Sequence, residues 1–203
     1  MLDLAHPFTG RWLARNSPSD RVPSHGTPLF ASAQAIDFVP VADDGRSAAF
    51  TVRSLIRAEP PERFAGFGRP VLAPVDGTVV AAHDADVDHA ARRGFPSIGY
   101  ALTQRRRAAD GWSALAGNHV MIAAAGGVIA LCHLQRGSVA VRVGDRVAVG
   151  DRIGCCGNSG NSTEPHLHLQ AMDGPDPLRA RAVPFTLAGR PLPRAGRIVE
   201  AGE

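Results

Sequence analysis

The chain has 203 residues, of which 44% are hydrophobic and 20% charged, values typical of one globular domain. No stretch approaches the roughly 20 consecutive apolar residues of a membrane-spanning helix, so we expect no membrane span. The formal net charge is only +3, and all 22 basic residues are arginine. The densest basic run, Arg105 to Arg107, has no interleaved aromatic residues. This run is typical of a solvated loop, so we expect no nucleic-acid partner.

The composition changes along the chain predict one domain with two flanking segments. Residues 1–24 contain many turn formers and little periodicity, which predicts an arm that packs over the domain. Residues 25–185 contain the short apolar bursts expected of a β domain. Residues 186–203 continue a Pro- and Gly-rich stretch that begins at Gly174, and they predict a loosely packed tail with one added strand.

The apolar bursts predict a mainly β fold. In residues 34–39, alternation puts Ile36 and Phe38 on one face of a strand and Asp37 on the other. Further strands are predicted at residues 48–56, 71–82, 119–124, 128–133, 139–143, 152–156 and 166–172. Short helices are predicted only at residues 86–93 and 105–116, within an irregular insertion from Asp84 to Gly117 that could form one wall of a cleft.

Two segments echo each other weakly, Arg69 to Val79 and Val143 to Gly154. Both resemble the hammerhead-like β motif of biotinyl and lipoyl carrier domains. A carrier function does not follow, because those domains need a modified lysine and this chain has none.

The most informative stretch is the loop of residues 157–165 followed by His166, Leu167 and His168. On a strand, residues i and i+2 point to one face, so both imidazoles lie side by side while Leu167 enters the core. One histidine can bind a metal and the other can transfer protons. The preceding Gly, Asn, Ser and Thr residues supply the turns and hydroxyls of a site rim.

A catalytic zinc ion usually takes three protein ligands and keeps one position for water. The upstream candidates are His25, in the sequence Ser-His-Gly-Thr, and Asp37 in its strand. Taken alone, His25 is more often a loop histidine and Asp37 could be a buried structural acid. Their combination with the distal His-x-His pair favours a single zinc site.

These motifs resemble the lysostaphin-type (LytM-like) zinc endopeptidases, which cut peptide bonds in bacterial peptidoglycan. The likeness runs from about residue 21 to residue 170. It implies an antiparallel β core with an open groove, zinc ligands at His25, Asp37 and His168, and catalytic partners at His133 and His166. Many members place the first ligand four residues before the acid, where this chain has Ala33. His25, twelve residues before Asp37, takes that role here, a spacing that some relatives share.

The expected chemistry follows from this set. Zinc lowers the pKa of a bound water to roughly 7 and polarises the scissile carbonyl. His133 and His166 could then take the water proton, stabilise the oxyanion and return a proton to the leaving amine. The expected function is hydrolysis of peptide bonds, with peptidoglycan cross-links or stem peptides as the substrate.

Two other functions remain open at this point. Degenerate relatives act as silent binding or activator modules of cell-wall enzymes, and paired histidines also occur in phosphoryl-transfer domains. The resemblance implies the cell envelope or the exterior, whereas the N-terminal residues lack the pattern of a secretory signal and by themselves indicate the cytoplasm. The three cysteines, Cys132, Cys155 and Cys156, lack a C-x-x-C spacing and predict packed thiols. The oligomeric state is not indicated.

Overall fold

The computed structural model describes residues 2–94 and 109–202, and the predicted Arg105 to Arg107 loop lies outside the described residues. The fold is mainly β, as predicted. The strands are β1 (Leu2–Leu4), β2 (Gly10–Arg15), β3 (Ile36–Pro40), β4 (Pro70–Leu72), β5 (Gly77–His83), β6 (Asn118–Ala124), β7 (Gly127–Leu134), β8 (Arg146–Val147), β9 (Arg152–Cys155), β10 (Leu167–Met172), β11 (Phe185–Leu187) and β12 (Ile198–Ala201). The helical pieces are α1 (Trp112–Ala116) and 3₁₀ turns at Leu29–Gln34, Val52–Leu55 and Pro61–Arg63.

One antiparallel sheet of eight strands, in the order β12-β2-β3-β10-β7-β6-β5-β8, organises the molecule. Two small pairs complete it, with β1 parallel to β11 and β4 antiparallel to β9. The antiparallel core predicted from the sequence is confirmed.

The faces of β3 explain how the sheet separates core from site. Ile36 and Phe38 are fully buried in the main hydrophobic cluster, where the ring of Phe8 stacks on Trp12 at 4.5 Å and meets Phe38 edge-on at 4.9 Å. Burial of each such side chain stabilises the fold by about 1.5–3 kcal/mol. Asp37 lies between them in sequence and points to the opposite face, as the alternation predicted.

The two echoing segments pair with each other. Val71 in β4 lies opposite Gly154 in β9, and Gly77 at the start of β5 lies opposite Val147 in β8. Between these pairs, the backbone N–H of Ala73 donates to the carbonyl of Asp151 at 2.8 Å. The echo is therefore two halves of one compact β unit at the end of the sheet.

Several predicted elements were wrong. Residues 48–56 and 139–143 form no strand, and the helix predicted at residues 86–93 is absent from this described segment. The stretch from 71 to 82 is two strands with a turn between them. Of the helix predicted at 105–116, residues 105–108 lie outside the described residues and the rest contains α1. The apolar residues of 48–56 face outward, with Phe50 and Val52 exposed at 61% and 78%, so they give a strand-like pattern without a buried face.

The predicted arm and tail both contribute to the main sheet. Residues 10–15 form β2, which lies between β3 and the C-terminal strand β12. The alternation of β2 is short and ends directly in the turn formers around residues 16–20, so the sequence did not predict this strand. The division into arm, domain and tail stays a prediction.

Among the described residues, no helix combines the length and the apolar character that crossing a membrane requires.

Candidate metal centre

A line of residues crosses the sheet perpendicular to the strands, and we call it the transverse row. Residues directly opposite each other on antiparallel strands point to the same face. The register therefore aligns side chains from six strands in the order Arg15, Asp37, His168, Cys132, His119 and His83. A cleft of about 290 Å³ lies over the middle of this row.

All five predicted site residues line this cleft, namely His25, Asp37, His133, His166 and His168. They come from four parts of the chain: the loop before the Leu29–Gln34 turn, β3, the end of β7, and the start of β10 with the residue preceding it. The irregular insertion supplies a wall through Trp112, Leu115 and Ala116.

Three of the five form a compact trio. The Nε2 atom of His25 lies 3.1 Å from Oδ2 of Asp37, and Nδ1 of His168 lies 2.9 Å from Oδ1 of the same carboxylate. One ligand atom from each residue falls within 4.8 Å of the other two. His25 reaches Asp37, twelve residues further on, because its loop folds back onto β3. The backbone N–H of Ser24 donates to the carbonyl of Ala33 at 3.0 Å and holds this fold.

The first two members of the trio are held by polar neighbours. The Ser24 hydroxyl donates to the carbonyl of Ser32 at 3.2 Å, so we assign the hydrogen of His25 to Nδ1, which lies 2.9 Å from the Ser24 oxygen. In the neutral ring, Nε2 of His25 carries the lone pair that a metal ion would use. In the protonated ring, the same atom donates to Oδ2 of Asp37. The Asn16 amide donates to Oδ2 of Asp37 at 2.7 Å and fixes the carboxylate plane.

His168 is oriented by Gln170, two residues further along β10. Its Nε2–H donates to Oε1 of Gln170 at 2.9 Å. The amide of Gln170 cannot turn around, because its nitrogen donates to the carbonyl of Phe30 at 3.0 Å. This pair therefore directs Nδ1 of His168 at the centre of the trio.

The electrostatics of the trio favour a cation at its centre. Burial raises the pKa of Asp37, but the charges of His25 and His166 and the histidine hydrogen bonds outweigh burial and hold the pKa well below 3.8. Burial lowers the pKa of His168, but its hydrogen bond to Asp37 outweighs this effect and raises the pKa above its ordinary value. The carboxylate thus stays ionised at any physiological pH.

His133 and His166 lie beside the trio, with their ring centroids 4.6 Å apart. His133 has a φ of 64°, so β7 ends in a left-handed residue that turns the ring into the cleft. Its Nδ1 donates to the carbonyl of Ser159 at 2.9 Å. Nδ1 of His166 donates to the carbonyl of Glu164 at 2.8 Å. In both rings, Nε2 is left as the atom free to exchange a proton.

Burial, followed by the neighbouring His166 and His168, lowers the pKa of His133 well below 6.5. His133 is therefore neutral at pH 7 and can accept a proton.

The donor set of the trio fits a zinc ion. Two imidazole nitrogens and one carboxylate oxygen are the ligands found in catalytic zinc sites. Ligand atoms about 2.0–2.2 Å from a tetrahedral ion lie about 3.3–3.6 Å apart. The distances of 3.1 and 2.9 Å to the carboxylate oxygens approach this spacing. Within residues 2–94 and 109–202, this trio is the single group of metal-ligating side chains with such spacing.

Three other histidines, His83, His89 and His119, make structural contacts. His83 pairs with Asp86 at 3.4 Å and stacks on His119, which also meets the Trp112 ring at 4.5 Å. His89 donates from Nε2 to the carbonyl of Gly160 at 2.9 Å and ties the insertion to the loop before β10. His89 itself is partly buried.

Sequence reasoning missed the residues that hold the trio in place, chiefly Asn16, Ser24 and Gln170. Gln170 could have been found, because the alternation that aligns His166 with His168 also puts residue 170 on that face. Asn16 carried no such signal, since it precedes Asp37 by 21 residues and stands among turn formers.

Comparison with known proteins adds the family. Residues 100–180 match the model of peptidase family M23. The predicted resemblance to the lysostaphin-type, LytM-like family is thereby confirmed, over a stretch that contains His133, His166 and His168. The match covers about two fifths of the chain, and over these residues the chain is similar to peptidase family M23.

Solved structures of similar proteins include two peptidase catalytic domains. The catalytic domain of the prophage-encoded M23 protein EnpA from Enterococcus faecalis is 20% identical, with 74% of this chain and 73% of that chain covered and a TM-score of 0.42. The catalytic domain of the antimicrobial peptidase lysostaphin from Staphylococcus simulans is 20% identical, with 74% and 77% covered and a TM-score of 0.41.

Proposed function

We propose that the protein is a zinc-dependent metalloendopeptidase that hydrolyses peptide bonds of peptidoglycan cross-links or stem peptides. The observation that carries the proposal is the convergence of His25, Asp37 and His168 beside His133 and His166. A silent binding module has no need for all five side chains in one cleft. The peptidase family match supports the reaction class.

The ligands in this proposal are Nε2 of His25, a carboxylate oxygen of Asp37 and Nδ1 of His168. A zinc ion held there would supply an activated water and polarise the scissile carbonyl. Asp37 contributes a fixed negative charge, and Gln170 keeps the nitrogen of His168 turned toward the ion. These supports reduce the reorganisation that binding would otherwise require.

The two other histidines handle protons in this proposal. His133 is neutral at pH 7 because burial lowers its pKa, so its Nε2 can accept the proton of the attacking water. His166, with Nδ1 fixed on the carbonyl of Glu164, presents Nε2 to the same space. Once Nε2 has taken up a proton, its N–H can stabilise negative charge on the carbonyl oxygen or protonate the leaving amine.

The cleft also indicates the kind of substrate. Its walls combine polar loop residues with apolar ones, including Phe30, Trp112 and Leu115. Such walls suit an extended peptide whose residues near the scissile bond are small. A peptidoglycan substrate would place the working protein at the cell envelope, and this location is part of the proposal.

The decisive experiment measures hydrolysis of purified peptidoglycan and of synthetic cross-link peptides. The wild type is assayed as purified, after chelation, and after return of one equivalent of zinc. We expect one zinc per chain, loss of hydrolysis on chelation and recovery on zinc addition. His168→Ala should abolish both zinc binding and hydrolysis, whereas His6→Ala, outside the cleft, should retain both. Hydrolysis that survives both chelation and His168→Ala would refute the proposal.

The same assay distinguishes the silent module. Such a protein would bind peptidoglycan in a pull-down but release no new amino termini, whatever its zinc content.

A further inference from the structure

A second depression, of about 440 Å³, lies on the same face of the sheet as the cleft. Its floor includes Leu13 and Val39, a register pair on β2 and β3. The next pair on this face is Arg15 and Asp37, which belong to the transverse row. Two residues of a strand span about 7 Å, so the floor at Val39 lies about 7 Å from Asp37. We call this depression the arginine pocket.

The name reflects its charges, because three arginines line it, Arg15, Arg46 and Arg93. Arg93 is already paired, because its guanidinium donates to Oε2 of the buried Glu59 at 3.0 and 2.7 Å. The side chains of Arg15 and Arg46 make no hydrogen bond or ion pair with any described residue. Two guanidinium groups therefore face the pocket without a partner in the described part of the chain.

The position of Arg15 in the sheet explains why its guanidinium has no partner among the described residues. It stands directly opposite Asp37 in the register, yet the two side chains form no ion pair. The carboxylate is already occupied by Asn16, His25 and His168. The guanidinium of Arg15 instead lines the neighbouring pocket.

Glu164 connects the arginine pocket with the cleft. Glu164 is the single acidic residue among its lining residues, and its Oε2 accepts a hydrogen bond from the Ser47 hydroxyl at 2.6 Å. The backbone carbonyl of the same residue holds Nδ1 of His166 at 2.8 Å. The acids Asp43 and Asp44 lie on the adjoining turn and do not line the pocket. The free charges of the pocket are therefore two cations and one hydrogen-bonded carboxylate.

We propose that the arginine pocket binds a carboxylate of the peptide substrate, carried by a residue about two positions from the scissile bond. Guanidinium groups bind carboxylates through paired, charge-assisted hydrogen bonds. An extended peptide advances about 3.3–3.6 Å per residue, so the separation of about 7 Å corresponds to two residues. The exposed ring of Phe50 offers an apolar contact for the stem of that acidic residue. The inference rests on the proposed peptidase function.

The test uses pairs of synthetic peptides that differ in one residue, which is Glu in one peptide and Gln in the other. Further pairs place this Glu/Gln residue at other positions of the peptide. Affinity is measured by calorimetry on the zinc-free 203-residue chain, and kcat and KM are measured on the zinc-loaded protein. The double variant Arg15→Gln, Arg46→Gln removes both free cations. Arg142→Gln, an exposed arginine on a distant loop, is the matched control for the change in charge.

For the wild type and Arg142→Gln, we expect one position of the Glu/Gln residue in the peptide at which the Glu peptide binds about tenfold more tightly than the Gln peptide. The double variant should lose this preference, chiefly through KM, while its affinity for the Gln peptide stays unchanged. Equal binding of both peptides by the wild type, or a preference that survives in the double variant, overturns the proposal. Because binding is measured without zinc, a protein that hydrolyses nothing still reports on the pocket.

Discussion

Gln170 accepts a hydrogen bond from His168 through an amide that is locked on its other side by the carbonyl of Phe30. The side chain is 1% exposed, so neither contact can be replaced easily by water. Gln170 is a positioning residue in the proposed site, since it acts on the metal only through His168.

Gln170→Ala should lower zinc affinity by about 10–100-fold, because the ring of His168 loses its fixed orientation. Gln170→Glu should retain most of the affinity, since a carboxylate still accepts from Nε2, but it should lower the melting temperature because the donor to Phe30 is lost. Competition with a chromogenic chelator measures the affinity. Gln135→Ala is the matched control. Equal affinity in Gln170→Ala and wild type would show that the orientation is set elsewhere.

Gly157→Ala should disturb the loop that holds His133. A Cβ at this position would meet the backbone N and Cα of Gln135, which leaves no room for a methyl group. We expect a loss of about 1–3 kcal/mol in the free energy of unfolding and a marked fall in kcat/KM, because the loop carries Ser159. At Gly174 a Cβ meets nothing within 4 Å, so Gly174→Ala should stay within about 0.5 kcal/mol of wild type. Denaturant titration of both variants checks this contrast.

Zinc binding should release protons in a defined pH range. In the zinc-free protein the pKa of His168 is raised above 6.5, whereas Asp37 stays ionised far below this range. Protonated His168 stabilises the zinc-free fold below about pH 6.5, and this contribution is lost as pH rises through the raised pKa. Zinc must displace that proton, so affinity should fall as pH decreases through this window.

Calorimetry in two buffers of different ionisation enthalpy measures the effect near pH 6.5. We expect a release approaching one proton per zinc from His168, decreasing at higher pH. Binding with no proton release throughout the window would contradict the assignment of Nδ1 of His168 as a ligand.

Two of the cysteines should resist alkylation in the native protein. Burial is the main cause that raises the pKa of the thiols of Cys132 and Cys156, and the charges of Asp37 and Asp88 add to it. Thiolates are the reactive species, so iodoacetamide at pH 8 should leave both residues unmodified in the folded state. Peptide mass spectrometry before and after unfolding reads each site. Rapid native modification of Cys132 would mean that the cleft floor opens.

The motif residues of the site were predicted from the sequence, whereas the residues that hold them in place were missed. The alternation around Asp37 and the His-x-His pair each follow from the two-residue period of a strand, so the structure places these side chains as that period requires. No strand period singles out His25, because it lies in a loop; it was a candidate through its residue type, its combination with the other site residues and the resemblance. Its approach to Asp37 depends on the backbone bond between Ser24 and Ala33, which no local pattern reveals.

The errors have a common physical origin. Residues 48–56 and 139–143 are rich in β-branched and apolar residues, yet the first segment contains the 3₁₀ turn Val52–Leu55 and the second lies in a loop. In the second segment, the backbone N–H of Ala140 donates to the carbonyl of Ile153 without forming a strand. Propensity describes how a residue fits a half-buried pleated surface, so a segment that pairs with no neighbouring strand does not realise it. The strand β2 was missed although it has a partner strand on each side, because its short alternation ends directly in the turn formers of residues 16–20.

The order of strands has a consequence for how the molecule is made. Asp37 meets His168 across 131 residues of chain, and β2 is covered on its outer edge only when β12 arrives. Contacts between such remote segments form slowly and late, since a long loop must close before they stabilise anything. During synthesis the proposed metal ligands therefore stay apart until the segment that carries His168 has left the ribosome, so the proposed site can assemble only after β10 has been made.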